Sequence, residues 1–257
     1  MATSGEGVDG ERWQASWDRQ QESYLPDREE RFAAMLDTVE AVAGTAPVVL
    51  DLAGGTGSIS LRVAERFPSG RSTLVDVDAA LLGIAAATVA ARGLTDRITI
   101  VAADLADAAW PSAVRGPFDA VLTATALHWL PEADLRRVYA QCHGLLRDGG
   151  VLVNADHHAD DGLPSLSPLL RDVRRRARSA RHDADGSVEW TGWWAAARAD
   201  PALAPLVAQR DARFGADHGG EFTPTLRWQE DALRAAGFRE VGLVWRGLTD
   251  AAVCGVR

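Results

Sequence analysis

The sequence is short of positive charge: 27 basic residues against 36 acidic ones leave a formal net charge of −9. A protein that grips a nucleic-acid backbone needs a basic footprint, so no nucleic-acid partner is expected. Cysteine is scarce. Cys142 and Cys254 are the only two and no CxxC spacing occurs, which excludes a zinc knot and a disulfide framework. Both read as buried thiols in a reducing compartment. No stretch approaches the ~20 apolar residues of a membrane span. Met1 to Asp9 lacks the basic start and apolar run of a signal peptide. These absences predict a cytoplasmic protein with no membrane partner. Internal repeats and low-complexity tracts are missing as well.

What is present is a strand–helix alternation in a chain of 257 residues that is 47% apolar. After a frayed start, the spacing of Phe32, Met35, Leu36 and Val39 predicts a helix over Glu29 to Val42. Short apolar strands are predicted at Val48 to Leu52, Thr73 to Val77, Ile98 to Ala102, Phe118 to Ala124 and Val151 to Ala155. Helices fall between them at Ile59 to Phe67, Ala80 to Ala91 and Asp134 to Leu146, the last leading into a turn at Gly149-Gly150. Leu226 to Ala236 then reads as a helix, and Val241 to Trp245 with Ala251 to Val256 as a hairpin. The pattern predicts an α/β fold: a doubly wound, mostly parallel seven-stranded sheet with a C-terminal antiparallel hairpin strand and a helical insertion. The expected division is a flexible arm over 1–22, a Rossmann-like core over 23–157 and 223–257, and a helical insertion or lid over 158–222.

The sharpest local feature is Val49-Leu50-Asp51-Leu52-Ala53-Gly54-Gly55-Thr56-Gly57. A strand runs into a turn of small residues, and a helix follows. Such a turn lets backbone N–H groups approach a ligand, and the helix N-terminus adds partial positive charge. A dinucleotide fingerprint requires G-x-G-x-x-G; counted from Gly55, its third glycine is Ser60, so a nicotinamide dehydrogenase is not expected. Asp76 ends the second strand about 20 residues later, where a carboxylate accepts from ribose hydroxyls. Asp78 is a rival that better suits a helix cap. Ala103-Asp104-Leu105 follows strand three, and Ala126-Leu127-His128-Trp129-Leu130-Pro131 follows strand four. Ligands gather beyond the carboxyl ends of such sheets, which puts His128 and Trp129 on the rim of the site.

In this order the four segments resemble class I, Rossmann-like S-adenosylmethionine-dependent methyltransferases, firmly over residues 45–157 and loosely over 223–257. Asp51, Gly55 and Gly57 match the family's acidic-x-G-x-G-x-G loop, with Ala53 at its first glycine. The string LDLAGGTG is similar to quinone-biosynthesis methyltransferases, and ALHWL to relatives of trans-aconitate methyltransferase. The resemblance implies S-adenosyl-L-methionine as cofactor and S-adenosyl-L-homocysteine as product. It implies a cofactor site at Asp51, Ala53, Gly54, Gly55 and Gly57, with Asp76 on the ribose beside Val77. Asp104 then accepts from the adenine amino group, the Leu105 N–H meets the ring, and Thr123 sits at the end of strand four. Related enzymes fold a helix before strand one over the cofactor, so Tyr24 and Arg28 are expected near the methionine carboxylate.

The expected reaction is in-line transfer of the methyl group to oxygen, nitrogen or a carboxylate of a small-molecule acceptor, by a monomer or homodimer. Where the acceptor needs a base, histidine is the natural one, and His128 is preferred over His157, His158 and His218. Trp129, His157, Trp193, Trp194 and Arg213 are candidates for the acceptor site, with Arg28 or Arg227 for a carboxylate. The six arginines from Arg171 to Arg181 read as a solvated helix face with Leu169, Leu170, Val173 and Ala177 turned inward. No metal is expected, because the adjacent His157 and His158 point apart in an extended chain. Two other readings keep the fold: a cyclisation or elimination that uses the sulfonium, and a binding module without catalysis.

Overall fold

Valine, leucine and isoleucine in the central strands are buried on both faces, which requires cover on both sides of the sheet. The computed structural model describes residues 7–158, 160–185, 189–215 and 222–257. Its strands are β1 (Val48–Leu52), β2 (Arg71–Asp76), β3 (Ile98–Ala102), β4 (Phe118–Ala124), β5 (Leu146–His157), β6 (Glu240–Arg246) and β7 (Asp250–Val256). They form one sheet in the order β3-β2-β1-β4-β5-β7-β6. β1 to β5 run parallel, and β7 lies antiparallel between β5 and β6. The predicted α/β sheet with one antiparallel hairpin strand is the fold observed.

Alternation along the strands assigns the two faces. Leu50, Leu52, Val121, Leu152 and Val253 pack with Leu135, Val138 and Cys142 of α5 (Glu132–Leu145) and Leu233 of α9 (Leu226–Ala235). Val49, Leu122, Val153 and Cys254 face the other way. They meet Phe32, Met35 and Val39 of α2 (Arg28–Ala43) and Ile59, Val63 and Phe67 of α3 (Ser58–Arg66). Both cysteines are free and buried, and desolvation pushes their thiol pKa values up, that of Cys254 to about 11.

Residues 10–22, expected within a flexible arm, lie in helix α1 (Gly10–Tyr24). Asp9 caps it by accepting from the Arg12 N–H at 3.1 Å. The helix lies directly on α4 (Ala79–Ala91): a Cβ on Gly10 would stand 2.3 Å from the Thr88 nitrogen. The insertion supplies α6 (Leu166–Asp185), α7 (Trp190–Ala199) and α8 (Ala204–Phe214). Trp13 of α1, Leu81 and Ile84 of α4, Trp193 and Trp194 of α7 and Val207 of α8 share a third core cluster. The arm thus becomes a helix because the insertion and α4 bury its tryptophan, a partner the local pattern does not show.

Two further expectations change. Gly149-Gly150 lies within the continuous β5, where an irregular register against β4 absorbs the extra residues. On α6, Leu169 and Val173 are exposed, while Arg174 turns in to pair with Asp27 and Asp250 at 2.5 and 3.1 Å. Buried carboxylates attract this arginine more strongly than apolar contact holds the two aliphatic side chains. Among the described residues, no helix is long and apolar enough to cross a membrane.

Candidate active site

β1 ends in a turn whose backbone is left-handed at Ala53 (φ 54°), Gly55 (φ 55°) and Gly57 (φ 84°). Ala53 tolerates a conformation that glycine adopts freely, at roughly 1 kcal/mol. Gly54 is required for space, since a Cβ there would stand 2.7 Å from the Asp51 carboxylate. Asp51 is fully buried beneath the turn. Its Oδ2 accepts from the Ser60 N–H at 2.9 Å and the Ser60 hydroxyl at 2.7 Å, fastening the turn to α3. Desolvation pushes its pKa up to about 6.

At the carboxyl end of β2, Asp76 accepts from the backbone N–H of Gly55 at 2.8 Å, Val77 at 2.7 Å and Asp78 at 2.8 Å. Burial raises its pKa against the pull of these three donors. Asp78 caps α4, accepting from Ala80 and Leu81 at 2.9 and 3.2 Å. Its second oxygen accepts from Arg210 of α8 at 2.7 Å.

Ala53, Gly54, Gly55, Asp76, Val77, Asp104 and Leu105 line one wall of a cavity of about 1260 Å³ at the carboxyl ends of the strands. Tyr24, Arg28, His128, Trp129, His157, Trp194 and Arg213 line it as well. Four candidates stand outside the wall. Asp51 and Gly57 hold the turn from behind, and Thr123 is buried inside β4. Trp193 is a core residue, in edge contact with Trp13 at 5.3 Å and donating to Ser16 at 3.1 Å. A side chain pointing into the α1–α4 packing has no access to a ligand.

The arginines of the wall carry carboxylate partners. Arg213, a candidate for an acceptor carboxylate, donates to Asp104, whose other oxygen accepts from the Ala106 N–H at 2.9 Å. Arg28 is buried and donates to Asp18 at 2.7 Å, with its guanidinium 4.8 Å from the Phe32 ring centre. Asp18 also accepts from the Ser58 hydroxyl at 2.9 Å, which ties α1 to the start of α3. The Tyr24 hydroxyl accepts from the Trp190 N–H at 3.1 Å. Arg227 lies outside the cavity wall, 3.8 Å from Asp161. His218 lies outside the described residues.

His128 stands in a short 3-10 turn after β4 and is buried. Its Nδ1 meets both oxygens of Asp156, at 2.9 and 3.0 Å. Asp156 is buried at the end of β5. Burial works against its charge, but the hydrogen bond and charge of His128 hold its pKa below the ordinary value. His157 Nδ1 lies 2.5 Å from Asp250 Oδ1, and burial is again overcome: the hydrogen bond and charge of Asp250 raise the histidine's pKa. The His128 and His157 rings are 6.1 Å apart, and His128 is 5.0 Å from the Trp129 ring. His158 is buried away from this cavity, and desolvation lowers its pKa.

Sequence reasoning missed Asp156, Asp250, Asp18 and Arg210. A carboxylate at the carboxyl end of β5 was a usable signal for Asp156, because Ala124 pairs with Ala155 and brings the loop after β4 alongside. Asp18 and Arg210 carried no such signal, since Ser58, through which Asp18 ties α1 to α3, and Asp78, the carboxylate partner of Arg210, lie 40 and 132 residues away.

Residues 49–150 match the family model described as a methyltransferase domain. Among curated proteins, the release factor glutamine methyltransferase of Chlorobaculum tepidum is 37% identical over 106 residues, covering 41% of this chain and 34% of that protein. The trans-aconitate 2-methyltransferase of Streptomyces avermitilis is 30% identical over 167 residues, covering 65% and 58%. The chain thus spans between a third and three fifths of the length of these two relatives. An O-methyltransferase family protein from Burkholderia thailandensis superposes with a TM-score of 0.57 at 23% identity, covering 95% of this chain and 68% of that one. Human N-acetylserotonin methyltransferase, solved with its cofactor S-adenosylmethionine, gives 0.57 at 14% identity, covering 97% and 56%. These likenesses concern the fold. The sheet order, the glycine turn and the family match agree: over residues 49–150 the chain is similar to methyltransferase domains, and its fold is that of the class I, Rossmann-like S-adenosylmethionine-dependent methyltransferases.

Proposed function

We propose that the chain transfers a methyl group from S-adenosylmethionine to a small-molecule acceptor, with His128 as the base. The observation that carries the reading is the His128–Asp156 pair facing the same cavity as Asp76 and the glycine turn. The residues fit the cofactor: Gly54 and Gly55 leave the backbone bare, and Asp76 is a buried carboxylate on the wall whose Oδ2 accepts from one backbone N–H only and has a lone pair left for a ligand. Asp104 and the Leu105 N–H lie farther along that wall for adenine, and Tyr24 and Arg28 come from the N-terminal side. When bound, S-adenosylmethionine supplies a methyl carbon already activated by a sulfonium.

The protein then has to place the acceptor in line, exclude water and take a proton. Asp156 accepts the Nδ1 proton of His128, which leaves Nε2 of the neutral ring as the acceptor of a hydroxyl proton. Trp129 offers an aromatic face next to that ring for a cationic centre. The transfer is proposed to take place in a cytoplasmic enzyme acting on a small molecule, without nucleic acid and as a monomer or homodimer. A cavity of about 1260 Å³, reached between helices, supports a small acceptor over a folded macromolecule.

Titration calorimetry with S-adenosylhomocysteine tests the cofactor. The wild type is expected to bind it, and Asp76→Ala to bind at least about tenfold more weakly, the loss of one charge-assisted hydrogen bond. Silence from the wild type, or equal affinity in the variant, overturns the reading. For the base, His128→Gln is expected to lower kcat by about 10²–10⁴-fold with cofactor affinity unchanged. Asp156→Asn acts through His128, so its loss is expected to grow with the acceptor's pKa and to be smallest for an acidic phenol such as 4-nitrophenol. A loss independent of acceptor acidity would make Asp156 merely structural.

A further inference from the structure

Two histidines face the cavity in matching arrangements. His128 and His157 each commit Nδ1 to a buried carboxylate, Asp156 and Asp250. Each leaves Nε2 without a protein partner among the described residues, and the rings lie 6.1 Å apart at an interplanar angle of 38°. Their electrostatic settings differ. Asp156 serves His128 and the neighbouring His157 N–H. Asp250 sits in a charge network with Arg31 at 2.9 Å and Arg174 at 3.1 Å, and Asp27 joins both arginines. Arg31 is fully buried, so this network anchors Asp250 rigidly under His157. The result is two imidazoles, each anchored at Nδ1 by its own buried carboxylate, with both rings on one cavity.

The rest of the wall narrows the partner. Each arginine on it already pairs with a carboxylate: Arg28 with Asp18, Arg210 with Asp78, Arg213 with Asp104. A carboxylate acceptor therefore meets no uncommitted guanidinium here, and it needs no base. Leu25, Phe32, Trp129 and Leu130 provide an apolar lining that suits a flat hydrocarbon frame.

We propose that His128 and His157 jointly hold an acceptor in which the hydroxyl to be methylated has a second oxygen on the adjacent carbon, as in a catechol or an ortho-hydroxy carbonyl on an aromatic ring. This rests on the methyl transfer proposed above. The acceptor hydroxyl gives its proton to His128 Nε2 as its oxygen forms the new bond to the methyl carbon. The carbon–sulfur bond breaks, its electron pair stays on sulfur, and S-adenosylhomocysteine leaves. His157 loses no proton; its Nε2–H donates to the second oxygen and fixes which hydroxyl faces the methyl group. A separation of 6.1 Å between the ring centres leaves room for a pair of neighbouring oxygens to take one hydrogen bond of ordinary length from each ring.

The test supplies the full chain with S-adenosylmethionine and isomer pairs: 1,2- against 1,4-dihydroxybenzene, and salicylaldehyde against 4-hydroxybenzaldehyde. Benzoate and aniline serve as controls, and methylated product is read by mass spectrometry. The ortho isomers are expected to exceed the para isomers in kcat/KM by at least about tenfold, the worth of one charge-assisted hydrogen bond. His157→Gln is expected to bring that ratio to within about twofold while S-adenosylhomocysteine binds as in the wild type. Phenols methylated with no ortho preference, an ortho preference that survives in His157→Gln, or turnover confined to benzoate or aniline overturns this inference and leaves methyl transfer standing. No methylation of any compound, with S-adenosylhomocysteine still bound, overturns both.

Discussion

Arg210 donates from Nε to Asp78 Oδ2 at 2.7 Å, joining a helix of the insertion to the cap of α4 across 132 residues of sequence. Both side chains are buried, and the guanidinium lies 3.8 Å from the Trp194 ring centre. Asp78 is the residue two positions beyond Asp76, so this ion pair places the insertion against the expected ribose end of the cavity. The insertion is therefore part of the site wall.

Replacing Arg210 leaves Asp78 buried without its cation. Desolvation and the neighbouring Asp76 already push Asp78 up to about 6, against the pull of Arg210. Arg210→Met raises it further, so the penalty falls on the ionised form. Urea unfolding is expected to show a loss of roughly 3 kcal/mol at pH 8 and a smaller one at pH 5, where Asp78 takes up a proton. An equal loss at both values would mean that packing on Trp194, not charge, is what Arg210 contributes.

Asp51 offers a cleaner titration. Its folded pKa of about 6 lies above the ordinary carboxylate value, so the folded protein binds the proton more tightly than the unfolded chain does. The stability this brings is fully present below about pH 4 and is lost as pH rises through 6. Asp51→Asn removes that dependence. The stability of the variant relative to wild type is expected to rise by up to about 3 kcal/mol between pH 4 and pH 8. A pH-independent difference would place the Asp51 pKa at its ordinary value.

Gly10 lets α1 lie on α4, with no room for a Cβ against the Thr88 backbone. Gly10→Ala is expected to displace the helix and cost about 1–3 kcal/mol in chemical denaturation. Because α1 carries Tyr24, and Asp18 with its partner Arg28, affinity for S-adenosylhomocysteine is expected to fall as well. Unchanged affinity would show that the cofactor site is complete without α1.

Tryptophans three residues apart on α7 are expected to behave oppositely. Trp193 is buried among Trp13, Trp17 and Trp194, and Trp193→Ala is expected to cost about 3–5 kcal/mol on thermal unfolding. Trp190 lines the cavity and is partly exposed. Trp190→Ala is expected to cost about 1 kcal/mol and to show its main effect in acceptor KM. The reverse ranking would reassign the two side chains.

The sheet and the glycine turn were legible because their signals are local. Val49, Leu50 and Leu52 form a short apolar run stopped by small residues, and Asp76 follows at the end of the next strand, so neighbours in sequence carry the pattern. Helix α1 was not legible, since Trp13 becomes a core residue through α4 and α7 and not through its own periodicity. The inward turn of Arg174 on α6 was hidden for the same reason: Asp27 and Asp250 lie 147 and 76 residues away.

By itself, the sequence determined the order of strands and helices, the turn at Ala53 to Gly57 and the helix cap at Asp78. Backbone propensity and short-range hydrogen bonding decide all three within one supersecondary unit. Only the tertiary structure decided which titratable side chains work in pairs. His128 meets Asp156 because β4 and β5 are adjacent, and His157 meets Asp250 because β7 returns antiparallel beside β5. A histidine's chemistry depends on the carboxylate within hydrogen-bond reach, and that reach is set by packing across the sheet.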